Sequence, residues 1–238
     1  MTPSQPRPVA IVTGASRGFG KALTAALLDR GWAVIGDARR AAELKTTAAG
    51  LNSNRLTALP GDVTDASHRD ALVATAIKAG PLRLLVNNAS RLGPSPQPAL
   101  ADYPASELWA VYQTNLFAPL ALIQATLPAL TDNAGVIINL TSDAAVEPYP
   151  GWGGYGSSKA ALDQLSAVLA AEATAVPVYA FDPGDMRTEM HQAAFPGEDI
   201  SDRAEPEAQV PALLRLLDTR PPAGRYRAAD LALSGAQR

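Results

Sequence analysis

The chain alternates between two hydrophobic patterns. Short apolar runs rich in Val, Ile and Leu occupy 8–14 ("PVAIVTG"), 32–38 ("WAVIGDA"), 81–90 ("PLRLLVNNAS"), 135–142 ("GVIINLTS") and 176–184 ("VPVYAFDPG"). Runs of this length, without strict polar alternation, read as strands buried on both faces. "RLTALPGDV" at 55–63 reads as a further strand and "GRYRAADL" at 224–231 as a weak last one. Between them the apolar spacing turns helical, at 20–31, 40–51, 65–80, about Ser106 to Leu130, 157–173 and 206–218. In 157–173, for example, Leu162, Leu165, Val168 and Leu169 recur every three to four residues. Asp65 is placed to cap the helix that Gly80 closes. Strand and helix taking turns at this spacing predict one doubly wound α/β domain, with a parallel sheet of about seven strands and helices on both faces. That domain covers 7–238, after a loose tail at 1–6.

Sheets of this kind bind ligands beyond the carboxyl ends of their strands, and the candidate residues below lie just after strands. Two segments depart from the simple pattern. The helix from about 106 to 130 carries Leu108, Trp109, Val111, Leu116, Phe117, Leu120, Leu122, Ile123 and Leu127 and is apolar all round, which predicts that every face is covered. Pro119 should bend it. The stretch at about 186–206, "MRTEMHQAAFPGEDISDRAEP", lacks periodicity and is long for a loop, which makes it a candidate lid over a substrate. His191 lies within it and reads either as exposed loop polarity or as a substrate contact.

Composition narrows the function. The formal net charge is -3, so no overall basic field draws the chain to nucleic acid. With no cysteine and only His68 and His191, thiolate zinc and disulfides are excluded and no metal site is expected. No run of eighteen apolar residues is present and the N-terminus does not look like a secretory signal, so a cytoplasmic chain with no membrane contact is expected.

"TGASRGFG" at 13–20 falls between the first strand and the first helix. Glycines there let the backbone turn sharply and approach a phosphate, and the helix N-terminus offers free N–H groups and the positive end of its dipole. The spacing G-x-x-x-G-x-G is neither the usual dinucleotide fingerprint nor the P-loop. "GGYGSSKAALDQL" then places Lys159, one of four lysines in the chain, four residues after Tyr155. Positions four apart share a helix face. An ammonium near a phenol favours the phenolate and should lower a pKa of about 10 toward neutrality, where acid–base catalysis is most effective.

Together these motifs resemble the short-chain dehydrogenase/reductase family in its compact single-domain, Rossmann-type form. The resemblance rests on Gly14, Gly18 and Gly20, "NNA" at 87–89 after the fourth strand, Asn115 in the long helix, Ser142 after the fifth strand, Y-x-x-x-K at 155–159 and "PGDMRT" at 183–188. It covers nearly the whole chain. It implies an oxidoreductase in which Tyr155 donates or accepts the proton, Ser142 holds the carbonyl oxygen, Lys159 holds the nicotinamide ribose, and Asn115 anchors a water that completes a proton relay. The glycine loop, Gly14, Ser16, Arg17, Gly18, Phe19 and Gly20, would cradle the cofactor. Asp62 and Val63 would lie at its adenine, with Asn87, Asn88 and Ala89 along the adenosine side. Pro183, Gly184 and Thr188 would cover the nicotinamide. Ser90 stands where the family usually has glycine, which puts a side chain where the family has none. In the family the helix at 106–130 packs against another subunit, which implies a homo-tetramer or homo-dimer; burial within one chain is the alternative.

Cofactor choice in this fold is often made at the end of the second strand. The family's position for an acid that excludes a 2′-phosphate is Ala38, and Arg39 and Arg17 could flank such a phosphate. NADP(H) is therefore expected, provided that Asp37, one residue earlier, points away from the ribose. The substrate is expected to be a small organic carbonyl or alcohol. Two other readings compete: a catalytically silent NADP-binding sensor of the same fold, and an epimerase or dehydratase of the extended relatives, for which little chain remains.

Overall fold

The computed structural model describes residues 6–233. Residues 1–5 of the expected tail and 234–238 of the expected domain lie outside the described residues. The chain runs β1 (Val9–Val12), α1 (Gly18–Asp29), β2 (Ala33–Ala38), α2 (Ala41–Leu51), β3 (Leu56–Pro60), α3 (Ala66–Ala79) and β4 (Leu82–Asn87). It continues through α4 (Ala105–Tyr112), α5 (Ala118–Asp132), β5 (Val136–Leu140), α6 (Gly153–Glu172), β6 (Val178–Asp182), α7 (Glu189–Ala194), α8 (Val210–Thr219), β7 (Gly224–Arg227) and α9 (Ala228–Leu233). The seven strands form one parallel sheet in the order β3-β2-β1-β4-β5-β6-β7.

The unbroken apolar runs are explained by two cores. Alternate residues of a strand face opposite sides. Ala10 and Val12 of β1 pack with Phe19, Leu23 and Leu27 of α1, Leu44 of α2, and Leu213 and Leu216 of α8. Val9 and Ile11 pack on the other side with Leu72 of α3 and with Leu122, Ile123 and Leu130 of α5. Both faces are covered, so neither can alternate with polar residues. The order of the strands reverses between β1 and β4, and the loops that leave their carboxyl ends part there.

Four local outcomes depart from the sequence pattern. The helix around Tyr155 starts at Gly153, four residues before the periodic stretch, so Tyr155 stands in its first turn. The long helical segment is interrupted by a π turn at Gln113–Phe117, where the Ala118 N–H reaches back to the Gln113 carbonyl. Pro119 has no N–H to give to the Asn115 carbonyl, so the i−4 ladder fails there and the helix widens rather than merely bending. Nor is the segment covered on every face: Val111, Leu122 and Ile123 are buried, but Trp109 is 61% and Phe117 41% exposed, their ring centroids 5.8 Å apart and the rings tilted by 46°. The stretch at 186–206 is not structureless. It contains α7, capped by the Thr188 hydroxyl accepting from the His191 N–H at 3.2 Å, and its two ends are tied by a bridge between Met186 and Ala204. Asp65 caps α3 as its position predicts, accepting from the Ser67 N–H at 2.9 Å. Among the described residues no helix is long and apolar enough to cross a membrane.

Candidate active site

Beyond the carboxyl ends of β1, β2, β4 and β5 lies a cleft of about 800 Å³. Its floor is the glycine loop. Gly14 has φ +70°, and a Cβ on Gly20 would stand 2.3 Å from the Gly14 carbonyl oxygen and 2.4 Å from Asn88 Nδ2, so no larger residue fits this crossing without a shift. The loop is held from below. The Thr13 hydroxyl accepts from the N–H groups of Asn88 and Ala89 at 3.0 and 2.9 Å, and Asn88 Nδ2 donates to the Thr13 carbonyl at 2.8 Å. "NNA" and "TG" are thus one hydrogen-bonded unit. Residue 17, the N-cap of α1, makes no side-chain capping bond, so the first N–H groups of that helix are left to an anion at the loop. The glycine cradle and the uncapped helix start fit a dinucleotide diphosphate.

Asp37 is 1% exposed. Its Oδ1 accepts from the Gly14 N–H at 2.8 Å and its Oδ2 lies 3.1 Å from His68 Nε2. Asp37 lines the cleft, and its carboxylate is engaged by the glycine loop and by His68. Burial pushes its carboxyl up, against the bonds from His68 and Gly14. Arg39 lines the cleft beside Ala38, and Arg17 and Arg40 stand close by. Burial lowers the Arg17 pKa, with repulsion from Arg40 and Arg39 adding to it. Glu189 of α7 pairs with Arg17 and lies 3.8 Å from Arg40, which is paired with Glu43 at 2.5 Å.

At the other end of the cleft, Tyr155 and Lys159 line the wall together. Lys159 is 2% exposed; its ammonium donates to the Leu140 carbonyl at 2.7 Å and stands 5.5 Å from the centre of the Tyr155 ring. Burial lowers its pKa to about 8, against the pull of Asp163 one helical turn on. The expected lowering of the phenol is not found. Burial pushes Tyr155 up, the neighbouring Ser90 hydroxyl opposes this, and Asp182 and Asp143 add to it. Lys159 faces the ring and the Leu140 carbonyl in this geometry, and desolvation dominates.

The remaining predicted residues fall into two groups. Gly14, Ser16, Arg17, Gly18, Phe19 and Gly20 line the cleft, as do Arg39, Val63, Asn88, Ala89, Pro183 and Thr188. Asp62, Asn87, Asn115, Ser142 and Gly184 are not among its lining residues. Asp62 closes a turn, accepting from the Thr64 N–H and hydroxyl at 2.9 and 2.8 Å. Asn87 donates to Asn139 Oδ1 at 2.8 Å within the sheet. Asn115 is fully buried and makes four bonds: Oδ1 accepts from the Arg91 N–H at 2.8 Å and the Ser90 hydroxyl at 3.2 Å, and Nδ2 donates to the Arg91 carbonyl and to Ser158 Oγ at 3.0 and 2.9 Å. The Ser142 hydroxyl donates to Asp143 Oδ1 at 2.8 Å and accepts from the Ala144 N–H at 3.2 Å, and Ala144 packs on Tyr155. Gly184 donates its N–H to Asp182 Oδ1 at 2.9 Å. His191 is not loop polarity; its side chain is 10% exposed and packs on Phe195 with ring centres 4.9 Å apart.

Sequence reading missed the guanidinium that ties this end together. Arg225 of β7 bonds Asp182 at 2.8 Å, Asp163 at 3.1 Å and the Ser142 carbonyl at 3.0 Å. It thereby joins the ends of β5 and β6 to the helix that carries Tyr155 and Lys159. Its only signal in the sequence was an arginine in a weak strand. Asp163 stood in plain view, one turn beyond Lys159.

Comparison with known proteins agrees with this geometry. The short chain dehydrogenase family model matches residues 8–199. An uncharacterized oxidoreductase of Saccharomyces cerevisiae is 34% identical over 95% of this chain and 90% of its own length. Sepiapterin reductase of Meriones unguiculatus is 35% identical over 78% of this chain and 77% of its own. A short-chain dehydrogenase from Shigella flexneri, crystallised with NADP, superposes with a TM-score of 0.86 at 27% identity, covering 93% of this chain and 97% of that one. With a seven-stranded parallel sheet, a glycine cradle at its first crossover and Tyr155 beside Lys159 in one cleft, this chain belongs to the short-chain dehydrogenase/reductase family of oxidoreductases.

Proposed function

We propose that the enzyme transfers a hydride between NADP(H) and a small organic carbonyl or alcohol, with Tyr155 as proton donor and acceptor. The observation that supports this reading is that Tyr155 and Lys159 share one cleft with the glycine loop and with four guanidinium groups, those of Arg17, Arg39, Arg40 and Arg187. When bound, the nicotinamide supplies the hydride, which no side chain can carry. The residues of the chain do the rest. Tyr155 gives its proton to the carbonyl oxygen as the carbon is reduced and takes one from the alcohol in the reverse direction. Lys159, held on the Leu140 carbonyl over the Tyr155 ring, reaches the ribose. The Ser142 hydroxyl, held on Asp143 in this structure, turns to the substrate oxygen. The Asn115 carbonyl, left without the Pro119 N–H, is free to hold the relay water. The segment at 186–206 forms the lid, its Phe195 ring 5.8 Å from and tilted against that of Trp152, which lies beside Tyr155.

Tyr155→Phe removes the proton donor and leaves the cavity shape unchanged. Turnover is expected to fall at least about a hundredfold, the usual contribution of general acid–base catalysis, with NADPH binding retained. The check is NADPH absorbance with a panel of aldehydes, ketones and keto esters, together with fluorescence titration of the cofactor. A variant that turns over normally would remove Tyr155 from the mechanism. A wild-type protein that binds NADPH and reduces nothing would favour the sensor reading.

The NADP(H) preference rests on Arg17, Arg39 and Arg40 gathered beside Ala38, and on Asp37, which also lines the cleft, having its two oxygens engaged by the Gly14 N–H and by His68. Arg39→Ala is expected to raise KM for NADPH by about tenfold, the order of one lost charge-assisted hydrogen bond, and to leave KM for NADH nearly unchanged. Equal effects on both cofactors, or a wild-type enzyme that prefers NADH, would contradict the assignment.

The exposed Trp109–Phe117 stack on α4 and the π turn is the face proposed to meet a second copy of the chain in a homo-dimer or homo-tetramer. Light scattering at micromolar concentration should show a dimer or larger, and Trp109→Glu should shift it toward monomer. Monomer alone in the wild type would refute the interface.

A further inference from the structure

The guanidinium groups at the mouth of the cleft are already met by carboxylates of the chain itself. Glu189, the first residue of α7, pairs with Arg17 and lies 3.8 Å from Arg40. One carboxylate of the segment at 186–206 thus reaches both the glycine loop and the residues that follow β2. Arg40 is paired with Glu43 as well, at 2.5 Å. Of the three arginines beside Ala38, only Arg39 has no ion pair among the described residues. All of these side chains line the same cleft. We propose that Glu189 is a specificity-determining residue for the cofactor: its carboxylate competes with the 2′-phosphate of NADP(H) for Arg17 and Arg40, so that the phosphate is bound in full only as α7 gives up its hold.

The contact is of a kind that a phosphate can displace. The side chains of Arg17, Arg40 and Glu189 are 42%, 59% and 66% exposed. Ion pairs this open to water are weak and are screened by salt. A phosphate monoester carries nearly two charges at neutral pH and three acceptor oxygens. It can therefore make more charge-assisted bonds to a set of guanidinium groups than one carboxylate can. A carboxylate left beside it would repel it, so the two anions cannot both hold Arg17 and Arg40 at full strength. NAD(H) carries a hydroxyl in place of this phosphate and leaves the pair undisturbed. The fold of α7 does not rest on Glu189. The Thr188 hydroxyl accepts from the His191 N–H at 3.2 Å, the Thr188 carbonyl accepts from the Gln192 N–H at 2.9 Å, and Met186 is bridged to Ala204. What Glu189 adds is a link between this helix and the arginines.

This inference rests on the arginines as the 2′-phosphate site, and its test separates the two without any turnover. Adenosine 2′,5′-bisphosphate and 5′-AMP differ only in that phosphate. Both are titrated by calorimetry at low salt into the wild type, Glu189→Gln and Arg39→Ala, and NADPH and NADH are titrated by fluorescence. Glu189→Gln should bind the bisphosphate and NADPH about fivefold more tightly, the order of one exposed ion pair, and should bind 5′-AMP and NADH as the wild type does. The gain should shrink at about 0.5 M salt. Hydrogen exchange of the α7 amides is the second readout: in the wild type the bisphosphate should speed it and 5′-AMP should not. Unchanged or weaker bisphosphate binding in Glu189→Gln, with Arg39→Ala weaker than the wild type, would overturn the role of Glu189 and leave the phosphate site in place. Exchange that the bisphosphate slows or leaves unmoved would do the same. If the wild type and Glu189→Gln both bind the bisphosphate no more tightly than 5′-AMP, both readings fail.

Discussion

The arrangement of the catalytic end depends on a lysine buried where the sheet ends. An ammonium removed from water is costly unless it is bonded and balanced. Lys159 is met by the Leu140 carbonyl at the end of β5 and by the field of Asp163, one turn along α6. Asp163 is half-buried in turn, and its carboxyl is pushed up by that burial against the pull of Arg225. Arg225 gives Nε to Asp163 and Nη2 to both Asp182 and the Ser142 carbonyl. Strand ends, helix and the turn before Pro183 are therefore coupled through charge rather than through apolar packing. Because the folded state holds Lys159 near pKa 8 and the unfolded chain near 10.5, the unfolded chain binds more protons between those values. This residue's burden on stability is therefore full below about pH 8 and is relieved as the pH rises to about 10.5.

The other end of the cleft answers a different constraint. The loop crosses itself and the Asn88 strand end so closely that a Cβ on Gly14 or Gly20 would strike Asn88, and one on Gly20 the Gly14 carbonyl as well. The crossing is kept rigid by polar groups, Thr13, Asn88 and Asp37. The Asp37 carboxylate, which in a different register would face the ribose, instead supports the loop and rests on His68. The arginines remain without an acid at Ala38 to oppose them, although Glu189 reaches them from α7.

The layers of the fold were legible because burial on both faces leaves an unmistakable apolar run, and Ala10/Val12 against Val9/Ile11 show why. The glycine loop and the Tyr155–Lys159 pair were legible because each is local, its parts lying within one crossover or one helical turn. What could not be read is non-local. Arg225 meets the Ser142 carbonyl across 83 positions of sequence, and the bond from Asp37 to His68 spans 31. Asp62, expected at the adenine from its place after β3, holds the Thr64 N–H and hydroxyl on Oδ1. The π turn at 113–117 could be half foreseen. Pro119 announced a fault in the ladder, but not that the chain would widen around a fully buried Asn115.

The central claim is that Lys159 is a buried cation tuned by its surroundings rather than a solvated surface charge. Its ionisation can be followed directly by NMR of the lysine side chains, with the signal assigned by its loss in Lys159→Met and with only four lysines to separate. The account predicts a midpoint near pH 8 for Lys159, well below the other three. A midpoint at the ordinary lysine value of about 10.4 would contradict it.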